Sequence, residues 1–251
     1  MRDALSQRSL ALDRNFLSHA SSLYNPHMGV ENLGPFLYSF IRFTKKRKIV
    51  EIGAGYTSLW ILQALKDNDD EFERIRHLRD DGKNRLLDIE WTIPFAMEKY
   101  QDEQSSLLCI DNCAHQKETA TGASAVAKSL GLEHYLDFVQ GDAFELQLDT
   151  NSVDVLWCDF GVGSRIKEFV VSAWGCIRPG GFLVCHSTLT NQNTREWLES
   201  IRAREGVEKT GIAPDAYVEV SLLEPLKRFQ NSISILQKRS DYEEPIYSQY
   251  A

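Results

Sequence analysis

The sequence lacks the features of a membrane or secreted protein. None of its runs approaches the ~18 consecutive apolar residues that a membrane-spanning helix requires. The first residues, MRDALSQRSLALDRNF, carry charges throughout and have no apolar core like that of a secretion signal. These absences predict a cytoplasmic protein without a membrane partner.

Positive charge is also scarce. The chain has 28 Lys and Arg against 36 Asp and Glu, which gives a formal net charge of −8. Proteins that bind nucleic acid through its phosphates depend on a basic surface. Nucleic acid is therefore not an expected partner.

The five cysteines give no sign of disulfides or of a structural zinc site. Their number is odd, and several lie in apolar runs that are typical of buried elements. Cys109 and Cys113 have a C-x3-C spacing, but no second thiolate or histidine pair follows at the spacing of zinc ligands. We interpret the cysteines as reduced core residues and expect no structural metal.

What the sequence does contain is a regular alternation of strand and helix patterns. Hydrophobic residues make up 43% of the chain, enough for one sizeable core. Apolar runs predict strands at 48–53, 107–112, 136–141, 153–160 and 182–186, and helical periodicity predicts helices at 57–66, 114–130, 164–177 and 192–204. This order predicts a parallel sheet covered on both faces. Two more strand patterns, at 217–223 and 232–237, predict a terminal antiparallel hairpin.

The first strand ends in KIVEIGAGYTS, in which two glycines stand one residue apart before a helix. Such glycines let the backbone approach a ligand closely. A lone G-x-G turn is often only a tight connection, and dinucleotide-binding folds share it. Here Ser58 replaces the third glycine of their G-x-G-x-x-G motif, so the ligand has to be inferred from further motifs.

Four further motifs follow in order at the strand ends. They are Asp111 closing LLCID, Gly141-Asp142-Ala143-Phe144, VDVLWCD ending at Asp159, and RPGGFLV. With the glycine motif they resemble the class I S-adenosylmethionine (SAM)-dependent methyltransferases, over roughly residues 48–238. The resemblance implies an α/β fold: a Rossmann-like, doubly wound, seven-stranded sheet with a C-terminal antiparallel hairpin. It implies one domain over 1–251, with an N-terminal helical cap at 1–47, an insertion at 66–106, and SAM as the cofactor.

The resemblance also implies roles for individual residues. The glycine loop would approach the methionine moiety of SAM, and Asp111 would accept hydrogen bonds from the ribose. The residues implied to bind the cofactor are Glu51, Gly53, Ala54, Gly55, Tyr56, Ser58, Asp111, Asn112, Asp142, Ala143, Phe144 and Asp159. Asp111 lies much farther along the chain than the usual ~20 residues after the glycines. Glu90, after RLLDI, is the alternative ribose ligand, but LLCIDN is more uniformly apolar and leads directly into the next helix and strand.

His186 and Asp159 are the expected catalytic residues. Methyl transfer is an in-line displacement that needs an aligned nucleophile and removal of its proton. His186 ends the fifth strand in FLVCHST and could accept that proton, although a lone histidine at a strand end is often structural. A metal held by Asp159 and His186 is an alternative. The Asp-Asn pair that metal-dependent O-methyltransferases carry after the fifth strand is absent, so we expect no metal.

The acceptor is expected to be a small molecule with an oxygen or nitrogen nucleophile. DFGV lacks the prolines and the amide of the Asn/Asp-Pro-Pro-Tyr/Phe motif that members methylating amide or adenine nitrogens usually carry. Family members often fold their N-terminal segment over the strand ends. Tyr24, His27 and Phe160 are therefore expected substrate contacts. The alternative is that Pro26 and Gly29 only mark a turn before a packing helix.

The insertion at 66–106 is expected to have a structural role, and two functions other than methyl transfer remain as alternatives. DNDDEFERIRHLRDD is typical of a solvated helix face, and LLDIEWTIPFAMEKY is aromatic enough for a packing surface or a homodimer contact. We favour that role over a lid on the substrate. An aminopropyltransferase shares the fold, but DFGVG has only one of the two aspartates it would need. A SAM-fold binding or scaffold protein without catalysis is the remaining alternative.

Overall fold

A computed structural model describes residues 13–80, 103–114 and 119–240, and a seven-stranded sheet forms its centre. The strands are β1 Lys48–Ile52, β2 Ser106–Asp111, β3 Leu136–Gln140, β4 Val153–Cys158, β5 Ile177–His186, β6 Tyr217–Leu223 and β7 Ser232–Lys238. Their order is β3-β2-β1-β4-β5-β7-β6. The first five pair in parallel, and β7 runs antiparallel to β5 and β6. The predicted fold class is confirmed.

Helices cover both faces of the sheet. They are α1 Arg14–Ser22, α2 Leu33–Thr44, α3 Tyr56–Asp80, α4 Ala120–Ser129, α5 Ile166–Ala173, α6 Gln192–Arg202 and α7 Val207–Thr210. Short 3-10 turns occupy Pro26–Met28, Glu133–Tyr135, Ala143–Glu145, Gly163–Arg165 and Trp174–Cys176. Helices α1 to α4 pack on one face with Ile49 and Trp157, whereas α5 and α6 pack on the other with Val50 and Leu156. Neighbouring strand residues thus point to opposite cores, as the period of a strand requires.

Helix α3 is longer than the sequence predicts. It continues through the charged run to Asp80, whereas the apolar pattern ends near residue 66. Asp67 accepts hydrogen bonds from Tyr38 Oη at 2.6 Å and Gln63 Nε2 at 2.8 Å, and buried Asn68 donates to the carbonyl of Ile41 on α2. The expectation of a purely solvated face is wrong here, because polar groups join α3 to α2.

Other boundaries differ for local reasons. Helix α4 begins at Ala120 rather than near residue 114. Strand β5 begins at Ile177 rather than 182, because an irregularity opposite Val153 and Val155 admits the RPGG segment into the strand. A Cβ at Gly181 would lie 2.8 Å from the carbonyl oxygen of Asp154, so only glycine allows this approach.

The N-terminal segment and the insertion remain to be compared with the sequence predictions. The N-terminal segment was expected to be a helical cap, but the bounds of helix α1 were not predicted. Asp13 caps this helix, and Phe16 packs on Trp60 with ring centroids 5.0 Å apart. Glu90 and residues 81–102 of the insertion lie outside the described residues. The packing or homodimer role of the insertion therefore stays a prediction.

Candidate active site

A cavity of about 780 Å³ lies at the carboxyl ends of the parallel strands. This is the edge where ligands bind in open α/β sheets, and the volume is typical of a small-molecule site. Twelve of the predicted site residues line it: Gly53, Ala54, Gly55, Tyr56, Asp111, Asn112, Asp142, Ala143, Phe144, Asp159, Phe160 and His186. The strand order thus brings together residues that are up to 133 positions apart in the chain.

Gly53 makes the turn after β1 fit against the end of β4. Its φ is +91°, and a Cβ there would lie 2.4 Å from the carbonyl oxygen of Asp159. The amide of Gly53 donates to the carbonyl of Ile110 at 2.9 Å, and the amide of Asp159 donates to that of Ile52 at 2.9 Å. A side chain at position 53 would push the loop away from Asp159.

Glu51 supports this loop from beneath. Its fully buried carboxylate accepts hydrogen bonds from Thr57 Oγ1 and Ser58 Oγ, both at 2.5 Å, and from Cys109 Sγ at 3.2 Å. Ser58 Oγ in turn accepts the amide of Gly55 at 2.9 Å. Burial raises the pKa of Glu51 to about 7, although the hydrogen bonds from Ser58, Thr57 and Cys109 oppose the rise.

The position of Glu51 and Ser58 corrects one part of the sequence interpretation. Neither residue lines the cavity, and both are buried beneath the glycine turn. Among the residues predicted to bind the cofactor, these two therefore support the glycine turn from the core side and do not line the cavity. The physical reason is that their side chains lie on the core side of the turn and are engaged with each other.

Asp111 fastens the ends of β1 and β2 together. Its Oδ2 accepts the amide of Ala54 at 2.9 Å, and its Oδ1 accepts the amide of Cys113 at 2.7 Å. Each carboxylate oxygen has two lone pairs, so one remains on each for a further donor. A ribose diol offers two such donors, and the site therefore fits the ribose of SAM. The neighbouring Asn112 uses its Oδ1 to accept the amide of Ala114.

The loops after β3 and β4 present an aromatic surface. Asp142 caps the Ala143–Glu145 turn and accepts the amide of Phe144 at 2.9 Å. The ring of Phe144 lies edge-to-face with that of Phe160, with centroids 6.0 Å apart. The guanidinium of Arg165 lies 3.5 Å from the centroid of Phe144. Flat faces of this kind suit the adenine of SAM.

His186 and Asp159 form a hydrogen-bonded pair in the cavity wall. His186 Nδ1 lies 2.7 Å from Asp159 Oδ1, and the ring stacks on Trp157 with centroids 6.0 Å apart. Burial of the ring lowers its pKa, but the hydrogen bond and charge of Asp159, helped by the carbonyl of Gln230, outweigh it. The pKa of His186 therefore stands above its ordinary value.

The part of the chain that the structure describes contains no group of three or more His, Cys, Asp or Glu able to hold a metal ion. Asp159 Oδ1 and His186 Nδ1, one atom of each residue in the metal alternative, are engaged with each other.

The N-terminal segment reaches the cavity with different residues from those predicted. Asn25, Met28 and Val30 line the wall. Tyr24 does not, because its ring packs edge-on against Tyr56 at 5.5 Å and its hydroxyl donates to Glu31 at 3.3 Å. His27 is exposed at the surface of the Pro26–Met28 turn. The structure thus places Tyr24 and His27, two of the expected substrate contacts, outside the cavity wall.

Sequence reasoning missed several wall residues. They are Asn25, Met28, Val30, Gly161, Val162, Gly163, Arg165, Ser187, Asn191, Thr194 and Gln230, among others. Ser187 and Asn191 follow β5, so their place after a predicted strand could have indicated them. Gln230 and Asn25 come from irregular segments without a motif, and no signal in the sequence marks them.

Among the described residues, no helix combines the length and the apolar character needed to cross a bilayer.

The family model described as a methyltransferase domain matches residues 50–188, which is more than half of the chain. No curated protein sequence matches.

Three solved structures share the fold along nearly the whole chain. The cofactor-bound Rv0187 from MTB has a TM-score of 0.59 at 13% identity, with 94% of this chain and 93% of that chain covered. The O-methyltransferase from Bacillus cereus in complex with SAH has a TM-score of 0.56 at 15% identity, with 94% of both chains covered. A protein from Corynebacterium glutamicum has a TM-score of 0.56 at 18% identity, with 96% and 95% covered. At such identities the similarity shows the fold alone.

Proposed function

Since the chain belongs to the methyltransferase domain family and is a SAM-dependent methyltransferase, we propose that it methylates a small molecule, on oxygen rather than nitrogen. The observation that carries this proposal is the 2.7 Å hydrogen bond between His186 and Asp159 inside the cavity. A hydroxyl group must lose its proton to become a good nucleophile, whereas a neutral amine already has a free lone pair. A positioned base therefore favours a hydroxyl acceptor.

The cofactor half of the cavity is formed by the loops after β1, β2 and β3. The amides of the Gly53–Tyr56 turn would face the methionine end of SAM, Asp111 would accept the ribose hydroxyls, and the Phe144 region would receive the adenine. When bound, SAM supplies a methyl group on a positively charged sulfur. Glu51 and Ser58 hold the turn in place from the core side.

The acceptor half lies beside His186. Asp159 occupies Nδ1, so Nε2 is the nitrogen available to the acceptor hydroxyl. Bound SAM would give its methyl group to the acceptor oxygen and leave as S-adenosylhomocysteine, and His186 Nε2 would take the hydroxyl proton. Asp159 then stabilises the charged ring without taking the proton itself.

The size and lining of the cavity limit the acceptor. A volume of about 780 Å³ has to hold both the cofactor and the acceptor, so the acceptor is small. Met28, Val30 and Phe160 give the wall an apolar part, whereas Asn25 and Asn191 give it polar groups. This lining suits a partly apolar hydroxyl compound.

Two measurements test the proposal. Calorimetry with S-adenosylhomocysteine (SAH) should show micromolar binding that the Asp111→Ala variant weakens. Incubation with isotopically labelled SAM and a panel of phenols, alcohols and amines should transfer label to a hydroxyl compound in a His186-dependent way. Absence of SAH binding would instead support a binding or scaffold protein, and labelling of amines alone would overturn the choice of oxygen.

A further inference from the structure

Two loops from distant parts of the chain meet beside His186. Gly29, before α2, has a φ of +64°, and Gln230, before β7, has a φ of +48°. A Cβ on Gly29 would lie 2.5 Å from Gln230 Oε1 and 2.7 Å from Gln230 Cβ. Both residues hold left-handed backbone conformations, which non-glycine residues rarely adopt. The position of Gln230 is therefore closely fixed by Gly29.

Lys227 fastens the same junction. Its Nζ donates to the carbonyl of Gly29 at 3.0 Å and forms ion pairs with Glu31 at 2.6 Å and Glu224 at 2.8 Å. The amide side chain of Asn32 also donates to Glu224. The segment before α2 and the loop between β6 and β7 are thus held as one wall of the cavity.

Gln230 presents its backbone carbonyl to the proposed base. The carbonyl oxygen lies 3.4 Å from His186 Nε2, while Nδ1 lies 2.7 Å from Asp159 Oδ1. Both partners are hydrogen-bond acceptors, yet a neutral imidazole carries only one N–H. Both contacts are satisfied together only when the ring is protonated at both nitrogens.

We propose that the backbone carbonyl of Gln230 is a positioning group for the base: it retains the Nε2 proton of His186 in the free enzyme, and the acceptor hydroxyl takes its place. This inference rests on the proposed function of His186. It implies that the ring releases its Nε2 proton to solvent when the acceptor displaces the carbonyl, and that Nε2 can then take the hydroxyl proton. Until then the ring keeps its proton and cannot act as a base.

Among the described residues, the groups that shift the pKa of His186 come from the end of β4 and from the β6–β7 loop. Asp159 faces the ring from the end of β4 and favours the proton. Lys227 opposes it from the β6–β7 loop, but Glu31 and Glu224 balance that charge. Trp157 stacks on the ring and carries no charge. A change that moves only Gln230 therefore isolates its contribution.

The test compares two glycine substitutions in the full chain. Gly29→Ala introduces a methyl group whose three nearest atoms all belong to the side chain of Gln230, and it should displace the carbonyl. Gly131→Ala is the matched control, because Gly131 has a similar φ of +67° with no atom within 4 Å of the added Cβ. With 15N-labelled histidine, and His186 assigned through His186→Asn, NMR titration should show the His186 midpoint lower by about 0.5 pH in Gly29→Ala and unchanged in the control.

A second variant and a direct observation make the result decisive. Adding Gln230→Gly to Gly29→Ala removes all three clashing atoms, so the midpoint should return towards that of the wild type. In the free wild type at pH 6.5, both ring nitrogens of His186 should carry protons. A bare Nε2 there, or equal midpoints in Gly29→Ala and wild type, would overturn the inference even if a variant fails to fold. SAH binding measured on the same samples tests the proposed function separately.

Discussion

The carboxylate of Asp111 accepts the backbone amide of Ala54 at 2.9 Å, so the end of β2 holds the turn that follows β1. This contact makes Asp111 part of the loop geometry as well as a candidate ribose acceptor. Its second oxygen holds the amide of Cys113. A substitution here therefore changes two backbone contacts and one ligand contact together.

We expect Asp111→Ala to weaken SAH binding by roughly 1–3 kcal/mol, about 5- to 150-fold in Kd, because the amides and the ribose lose a charged acceptor. Isothermal calorimetry measures the change. Asp137→Ala, at an exposed aspartate on the neighbouring strand β3, is the control and should bind as the wild type does. Equal affinities for the two variants would remove Asp111 from the cofactor site.

Glu51 should make the stability of the protein depend on pH. Its pKa is raised from 4.5 in the unfolded chain to about 7 when folded, so the folded state binds the proton more tightly. The resulting stability is present below pH 4.5 and is lost as the pH rises through about 7. Relative to Glu51→Gln, the free energy of unfolding of the wild type should fall by roughly 2–3 kcal/mol over that range.

Urea denaturation at pH 4.5, 6 and 7.5 measures this difference. Glu133→Gln, at an exposed carboxylate, should follow the wild type at each pH. A constant difference between wild type and Glu51→Gln would show that folding does not change the pKa of Glu51.

His186 and Asp159 should act as a unit in catalysis. Once an acceptor is found, His186→Asn should lower kcat by roughly 10²–10⁴-fold with little change in SAH affinity. Asp159→Asn should also lower kcat, and the double variant should lose less than the product of the two, because the side chains share one hydrogen bond. His134→Asn, at an exposed histidine, should retain full activity. An unchanged kcat in His186→Asn would leave alignment of the acceptor as the source of catalysis.

Gly53→Ala should disturb the cofactor loop and the catalytic pair together. The added Cβ would lie 2.4 Å from the carbonyl oxygen of Asp159, which is backbone and cannot rotate away. We expect SAH affinity to drop at least tenfold, about 1.4 kcal/mol, while circular dichroism shows a folded protein. Gly131 also has a positive φ, +67°, and no atom within 4 Å of an added Cβ, so Gly131→Ala controls for backbone strain. If both variants bind alike, the close approach is not needed.

The sequence predicted the elements whose pattern is local. Apolar runs located the strands, and β2 ends at Asp111 in parallel register with β1, as the choice of LLCIDN over RLLDIE required. The far end of α3 escaped prediction because its helical state depends on Asp67 and Asn68 pairing with α2, which no pattern within α3 reveals. Helix propensity reflects only the local sequence, and tertiary contacts can extend a helix beyond the residues that favour it locally.

The sequence also predicted the part of the site that lies at strand ends, but not the part that comes from irregular loops. Residues at strand ends, such as Asp111 and His186, follow from topology, because parallel strands deliver their carboxyl ends to one edge. Gln230 and Asn25 come from loops whose position depends on the ion pair of Lys227 and Glu31 at one wall of the cavity. Glu51 lies in the glycine motif, but its burial below the turn, which decides its role, depends on the packing of Cys109.

The segments that Lys227 joins lie outside the part of the chain that the family model matches. The family model covers residues 50–188, which hold the cofactor loops and the catalytic pair, whereas Asn25, Met28 and Gln230 lie outside it on either side. We therefore expect acceptor preference to depend on two short stretches that are joined by a few ion pairs. Exchanging both stretches together with those of another family member should transplant the acceptor preference and leave the methyl-donor machinery intact.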